Sequence, residues 1–128
     1  MGYRIDSGQT RYIQVTVDGV LDRETALAEL NDVLTRPDYP DRHTLWDFTG
    51  ANMGLNIQDI EEITGVLRLY RPAGPGFANR VALVVSGRME LAMANIFIAA
   101  AKLLPFKYKA FLDLNAARTF ASSSSTTR

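Results

Sequence analysis

The side chains that could perform chemistry are few and widely spaced. His43 is the single histidine and there is no cysteine. A Ser-His-Asp arrangement would therefore need His43, and thiolate nucleophiles and thiolate metal sites are excluded. His43 opens a short apolar run, so it lies at the N-terminal end of a strand, opposite the edge where open α/β sheets bind ligands. We expect a solvated histidine at a loop edge.

Carboxylates near this histidine do not favour a metal site or a general base. Asp38 and Asp41 are close to His43 in the sequence, but a proline lies between them, which is typical of a surface loop. We therefore predict no metal ion and no cofactor. Asp47 lies within the same apolar run, where a buried carboxylate needs partners. We expect a structural hydrogen bond to a loop N–H group or to Arg80.

Two loops could form a site together. Ser86 and Arg88 lie where a buried strand leads into a helix, and backbone N–H groups at a helix start attract anions. A plain strand-to-helix turn is the alternative, because one glycine without a Lys-Ser/Thr pair is not a phosphate loop. Thr49 and Asn52 follow the neighbouring strand. Since parallel strands end at a common edge, we expect both loops to converge there as candidates for binding a ligand or partner.

Residues 89–104 predict a helix that is apolar on nearly every side. A helix packed on a sheet needs one apolar stripe. The apolar side chains outside that stripe must contact other helices of the domain, a second subunit or an apolar ligand. Met93 and Phe97 lie one turn apart and suit an adaptable apolar surface. They complete the candidate binding residues, with the Pro/Gly-rich loop at 72–77 as the other wall of a pocket.

Alternating strands and helices must position these residues. Asp22, Asn56 and Asp113 are candidate N-caps of three helices, and 89–104 is a fourth. The helix after Asn56 should carry an apolar stripe from Ile57 to Tyr70. Apolar runs predict strands at 3–6, 12–17, 43–48, 80–85 and 107–111. Turn residues at 7–10 make the first two strands an opening hairpin, and the alternating last strand should lie at an edge of the sheet. The second strand should end at Asp18-Gly19, and 49–54 should be a loop. The order ββαβαβαβα predicts an α/β fold with a mixed, mostly parallel sheet of four or five strands.

Length and charge narrow the function classes. The 128 residues fit one domain, which we place at 1–121, followed by a disordered Ser/Thr tail at 122–128. With 14 basic and 14 acidic residues the net charge is zero, which gives no electrostatic footprint for nucleic acid. No stretch reaches the roughly 20 apolar residues of a membrane span. We expect a cytoplasmic protein with no nucleic-acid partner.

Four stretches, in their order and spacing, carry a family resemblance. They are 15–19, 46–50, 80–85 and 108–117, which read VTVDG, WDFTG, RVALVV and YKAFLDLNAA. With them the chain resembles the STAS superfamily, the fold of the anti-sigma-factor antagonists, over nearly its whole length to Ala121. It is most similar to the bacterial SpoIIAA-like proteins that lack the phosphorylation site.

The resemblance also exposes a departure from the antagonists. Their switch is a phosphorylatable Ser or Thr at the start of the helix that follows the Asp-Phe/Leu-Ser/Thr-Gly strand end. The matching positions here are Leu55, Asn56 and Ile57, none of which has a hydroxyl group. Thr49 lies earlier and does not replace it. The resemblance therefore implies the fold without the phosphorylation switch.

These observations leave three functions open. The first is a non-catalytic regulatory or protein-interaction module, expected to be a homodimer. The second is a small carrier that binds an apolar molecule, such as a lipid tail, beside helix 89–104. The third is an enzyme that uses Asp47, Thr49, Ser86 or Arg88. The absence of cysteine, the position of His43 and the lack of a nucleotide loop favour the first.

Overall fold

Strands and helices alternate along the chain in the computed structural model, which describes residues 2–6, 12–36, 42–67, 79–101 and 106–122. The strands are β1 (Gly2–Asp6), β2 (Tyr12–Leu21), β3 (His43–Met53), β4 (Asn79–Val84) and β5 (Phe106–Phe111). The helices are α1 (Arg23–Leu34), α2 (Ile57–Leu67), α3 (Arg88–Ala100) and α4 (Leu114–Ser122). The predicted order ββαβαβαβα is confirmed.

One mixed sheet of five strands forms the centre, in the order β1-β2-β3-β4-β5. β1 and β2 pair antiparallel, as predicted for an opening hairpin. The other three pairings are parallel, and a helix connects each pair of neighbours. β5 lies at one edge of the sheet, as its alternating sequence indicated. The loop predicted between β1 and β2, at 7–10, lies outside the described residues.

β2 and β3 are both longer than the sequence predicted. Asp18-Gly19 does not end β2, and residues 49–53 are strand instead of loop. Asp18 pairs with Gly50 and Leu21 with Met53 after a register shift that begins at Thr16. Gly19 takes a positive φ of 81° here, a conformation that glycine adopts at little cost. The pairing of the two strands, which no local pattern encodes, therefore extends both.

Helices cover the two faces of the sheet unequally. On one face α4 packs alone through Ala117 and Ala121, against Leu45, Ala82 and Val84. The other face carries α1, α2 and α3. Its buried side chains come from all three helices and the central strands: Ile13, Val15, Val17, Leu30, Val33, Trp46, Ile63, Leu67, Val81, Leu83 and Ala94. The second face is therefore the thicker layer and the one in which a cavity can form.

The three predicted N-caps are confirmed. Asp22 accepts a hydrogen bond from the backbone N–H of Thr25 at 2.8 Å, and Asp113 accepts one from that of Asn115 at 3.0 Å. The cap of α2 at Asn56 is described with the site below. α4 includes Ser122, one residue beyond the predicted domain end. Residues 123–128, where we predicted the tail, lie outside the described residues.

The apolar stripe of α2 is shorter than predicted. Ile60, Ile63 and Leu67 are buried, but the side chain of Ile57 is 59% exposed. Ile57 is the first residue of the helix, where its side chain lies beyond the neighbouring layer. The predicted continuation of the stripe to Tyr70 lies outside the described residues.

Candidate functional site

The residues predicted at the carboxyl edge of the sheet are exposed and only partly brought together. Thr49 and Ser86 each lie two residues beyond the last β3–β4 pair, Asp47 with Val84. Asn52 lies five residues beyond it, about 16 Å along the strand, and pairs instead with Val20 of β2. The continuation of β3 therefore separates Asn52 from the turn at Ser86.

Asp47 has hydrogen-bond partners, as expected, but it is half-buried instead of buried. Its Oδ1 atom accepts hydrogen bonds from the hydroxyl of Thr49 at 2.6 Å and from the backbone N–H of Thr49 at 3.0 Å. The alternative partner in our prediction, Arg80, is not the one used. The hydroxyl of Thr49 therefore has a partner within its own strand.

The start of α3 already carries a negative charge. Gly87 is its N-cap and makes no side-chain cap hydrogen bond. The Oε1 atom of Glu90 lies 2.6 Å from the point that a Cβ at position 87 would occupy. This carboxylate complements the positive end of the helix dipole. An anion approaching Ser86 or Arg88 would therefore meet Glu90.

His43 is buried, which corrects our expectation of a solvated histidine. Its residue is 5% exposed, and its Nδ1 atom accepts a hydrogen bond from the backbone N–H of Arg80 at 2.8 Å. This pair lies one residue before the first β3–β4 ladder pair, Thr44 with Val81. The imidazole thus satisfies a strand-end N–H group, which favours its burial.

No group of metal-binding side chains occurs within the described ranges. Asp38 and Asp41, which we considered as partners of His43 in a metal site, lie outside them.

A cavity of about 120 Å³ lies between the thicker helical layer and the sheet. Its walls come from α1, α2 and α3 and from strands β2 to β5, and they are almost entirely apolar. The residues that line it are Leu21, Ala26, Glu29, Leu30, Val33, Leu34, Thr44, Trp46, Phe48, Leu55, Ile60, Ile63, Leu67, Val81, Leu83, Met93, Ala94, Phe97 and Tyr108. The structure therefore places Met93 and Phe97 in the wall of one cavity.

Aromatic rings shape this cavity. The rings of Phe97 and Tyr108 meet edge to face with centroids 5.2 Å apart, and those of Trp46 and Phe48 stack at 6.1 Å. The indole Nε1 of Trp46 donates to the Thr44 hydroxyl at 3.3 Å. Burial raises the pKa of the Tyr108 hydroxyl, so this group stays protonated. The walls are thus apolar and contain four aromatic side chains.

Glu29 on α1 is the exceptional side chain in the lining. Its residue is 0% exposed, and neither carboxyl oxygen has a hydrogen-bond partner. Burial raises the pKa of this carboxyl from 4.5 to about 7, and the negative charge of Asp22 adds to the shift. Ionisation of a carboxyl group is unfavourable when the group is buried without a partner, because the charge is then not solvated. Glu29 is therefore poised to change protonation near neutral pH.

Sequence reasoning missed Glu29, although a signal was present. Ala26, Leu30 and Val33 form the inward stripe of α1, and Glu29 lies three residues after Ala26 and four before Val33. This spacing places its carboxylate on the core-facing side. An ionisable residue inside an apolar stripe was the pattern to notice.

The start of α2, which the sequence resemblance matches to the antagonists' phosphorylation site, carries a reciprocal capping arrangement. The side-chain Oδ1 of Asn56 accepts from the backbone N–H of Asp59 at 2.8 Å, and Asp59 Oδ2 accepts from that of Asn56 at 3.0 Å. This is the capping-box geometry, built here with amide and carboxylate groups instead of a hydroxyl.

The class defined by this architecture is an α/β domain with a mostly parallel sheet, one helix on one face and three on the other, enclosing an apolar cavity. A solved structure has a similar fold: an uncharacterized protein of the DUF3478 family with a SpoIIAA-like fold, from Shewanella loihica PV-4. The TM-score is 0.59 and the sequence identity 20%, over 94% of each chain. The fold of this protein is therefore SpoIIAA-like, as the resemblance implied.

Sequence comparisons add no closer assignment. No protein-family model matches the chain, and no curated protein does. Within the described part of the chain, every helix is too short or too polar to cross a bilayer.

Proposed function

We propose that this protein is a non-catalytic regulatory or protein-interaction module of SpoIIAA-like fold that works without a phosphorylation switch. The observation that carries the proposal is the capping arrangement at Asn56 and Asp59, where each side chain accepts from the other's backbone N–H. The position of the switch in the antagonists is thus occupied by groups that a protein kinase does not modify.

The placement of the reactive side chains supports the absence of catalysis. His43 lies at the amino end of β3, and Ser86 follows the carboxyl end of β4. They are about six strand residues apart along the sheet, on the order of 20 Å. His43 is committed to the Arg80 N–H group, and Asp47 to Thr49. These groups cannot form a Ser-His-Asp arrangement in this geometry.

Native and denaturing mass spectrometry of the freshly purified protein test this proposal. We expect a noncovalent homodimer and a denatured mass without phosphate. A covalent phosphate that maps to the described residues would contradict the proposal, because it would show that a switch exists at another hydroxyl group.

A second function, carriage of a small apolar molecule, is favoured by the cavity beneath α3. A cavity of about 150 Å³ lined by Leu, Ile and Phe side chains stays dry and binds benzene, and the cavity here is about 120 Å³. The walls are formed by packed elements, so binding would require little ordering of the protein.

Methyl NMR with toluene as the probe tests the carrier function. In protein labelled with ¹³C at the methionine methyl groups, we expect toluene to shift the resonance of Met93, which lines the cavity. Met89 is 79% exposed and lies on the same helix, so its methyl group is the internal control. Equal responses of the two methyl groups, or none, would contradict binding in the cavity.

A further inference from the structure

The carboxyl group of Glu29 has no hydrogen-bond partner in the described part of the chain and lines the cavity. It indicates which polar group a ligand would carry, which the apolar walls alone do not. Both oxygens are buried and lack a hydrogen-bond donor among the described residues. Native folds leave few buried polar atoms unsatisfied, and an unpaired buried carboxylate is costly. No described side chain donates to either oxygen. A donor brought by a ligand would supply the missing partner.

We propose that the cavity binds a compact apolar molecule carrying one ammonium group, with Glu29 as its counter-ion. This inference rests on the second candidate function, the binding of a small apolar molecule in the same cavity.

The surroundings of Glu29 fit an ammonium group better than a neutral or an anionic one. An ammonium group offers donors to both carboxyl oxygens and neutralises their charge. The aromatic faces of Trp46, Phe48, Phe97 and Tyr108 attract a cation in a desolvated site. No described Lys or Arg lines the cavity to repel it. An anionic head group would face the charge of Glu29 instead.

The size of the cavity limits the apolar part of the ligand to about one six-membered ring. The volume of about 120 Å³ is slightly below that of the benzene-binding cavity. Long alkyl chains would need further space. Benzylamine, benzyl alcohol and toluene have nearly the same shape, so they are matched probes that differ in the polar group alone.

The affinity for an amine should rise with pH if the ionised carboxylate of Glu29 is the group that binds it. The titratable groups that interact with Glu29 are Asp22, the N-cap of its helix, and Tyr3 on β1, whose hydroxyl donates to Asp32. Tyr108 on β5 is the other titratable group in the cavity lining. The lining residues from α2, α3, β3 and β4 contribute no titratable group. With its raised pKa, Glu29 is about half ionised in the empty protein at neutral pH. Since the amine needs the ionised form, its affinity should rise with pH.

The experiment measures the dissociation constants of the three probes by calorimetry and by the Met93 methyl shift, at pH 6 and pH 8. We expect benzylamine to bind the wild-type protein about tenfold tighter at pH 8, in proportion to the ionised fraction of Glu29. Glu29→Gln should weaken benzylamine at least tenfold at pH 8 and leave toluene unchanged. Glu24→Gln is the matched control, because Glu24 is an exposed acid on the same helix.

The outcomes separate this inference from the carrier function. Toluene binding that Glu29→Gln does not change also shows that the variant folds with its cavity intact. If toluene binds and benzylamine gains nothing from Glu29 or from higher pH, the role of Glu29 is overturned while the carrier function stands. If benzyl alcohol binds tightest and weakens as pH rises, protonated Glu29 acts as a donor, and the ammonium ligand is again excluded. If no probe binds, both proposals fail.

Discussion

At the scale of single residues, Glu29 makes the stability of this protein depend on pH. Its folded pKa, about 7, is raised above the ordinary 4.5 by burial. Below pH 4.5 the carboxyl is protonated in both the folded and unfolded states, so it imposes no ionisation cost. As pH rises, the unfolded state loses its proton first. Stability therefore falls between pH 4.5 and about 7, and the full cost persists above that range.

We predict that Glu29→Gln removes this pH dependence. The gain in unfolding free energy of the variant over wild type should be about 3 kcal/mol larger at pH 8 than at pH 4, at about 1.4 kcal/mol for each pKa unit. Urea unfolding of both proteins across this range measures it. An effect of the glutamine amide on the unfolding free energy that is the same at both pH values cancels in this difference. Parallel stability curves for Glu29→Gln and wild type would show that Glu29 is not held in a desolvated site.

Asn56 provides a second prediction at this scale. Asn56→Ala removes the acceptor of the Asp59 N–H group at the start of α2, and losing such a cap costs about 1 kcal/mol. Denaturant unfolding checks this. Asn95→Ala is the control, because Asn95 is exposed within α3, where alanine is a better helix former. No destabilisation by Asn56→Ala would mean that water replaces the cap at no cost.

The hydrogen bonds of polar side chains were predictable where the partner is close in the sequence. Asp47 with Thr49, Asp22 with Thr25 and Asp113 with Asn115 are separated by two or three residues. His43 was not predictable in this way, since its partner Arg80 is 37 residues away. Glu29 likewise lines a cavity whose other walls come from α2, α3 and the sheet, elements distant in the sequence. Met93 and Phe97 were found because the apolar helix exceeded what a single sheet contact requires, and their role as ligand contacts stays a prediction.

At the scale of elements, the sequence located every strand and helix of the described chain but not all of their ends. β3 was expected to end at Phe48 because Thr49, Gly50 and Asn52 favour turns. The paired extension with β2 overrides that preference, and the Gly54 N–H donates to the Leu21 carbonyl at 2.8 Å where it ends. Strand length here is set by the partner strand, so local propensity fails.

Two glycines in this framework should respond oppositely to the same substitution. Gly19 has a φ of 81°, where an alanine is strained, so we predict that Gly19→Ala costs about 1 kcal/mol or more. Gly65 lies in α2, and a Cβ there would meet nothing within 4 Å. Gly65→Ala should therefore stabilise by up to about 1 kcal/mol. Thermal and urea unfolding compare them. Equal changes in stability for the two variants would contradict a positive φ at Gly19.

The side chains of α3 that face the core pack against the rest of the domain. Phe97 lines the cavity and contacts the ring of Tyr108, so Phe97→Asp should unfold the domain by placing a charge among apolar groups, a cost of several kcal/mol. Ile96→Asp is the control, because the neighbouring Ile96 is 40% exposed. Far-UV circular dichroism distinguishes the two. A folded Phe97→Asp protein would mean that α3 can leave the sheet without loss of the fold.

At the scale of the whole molecule, the unequal helical layers give the two faces different properties. α4 packs through small side chains, Ala117 and Ala121, which bring it close to the sheet. The opposite layer holds three helices, and the cavity and the Phe97–Tyr108 contact lie between this layer and the sheet. The same layer exposes the outer side of α3. The inner side of α3 lines the cavity, and its outer side is left exposed.

This outer side of α3 is the surface through which we expect the homodimer to form. Met89 and Ile96 lie two turns apart on one helical face and are 79% and 40% exposed. The net charge of zero imposes no repulsion between copies. Light scattering after size exclusion should give twice the mass of one chain for wild type.

Substitutions on two exposed apolar residues test which surface associates. Met89→Asp should yield a folded monomer, because it places like charges opposite each other in a two-fold contact without touching the core. Leu112→Asp is the matched control, since Leu112 is 52% exposed and lies beyond α3, after β5. It should remain dimeric. Dissociation by Leu112→Asp instead would move the contact to the end of β5, and a monomeric wild type would leave the outer side of α3 facing solvent.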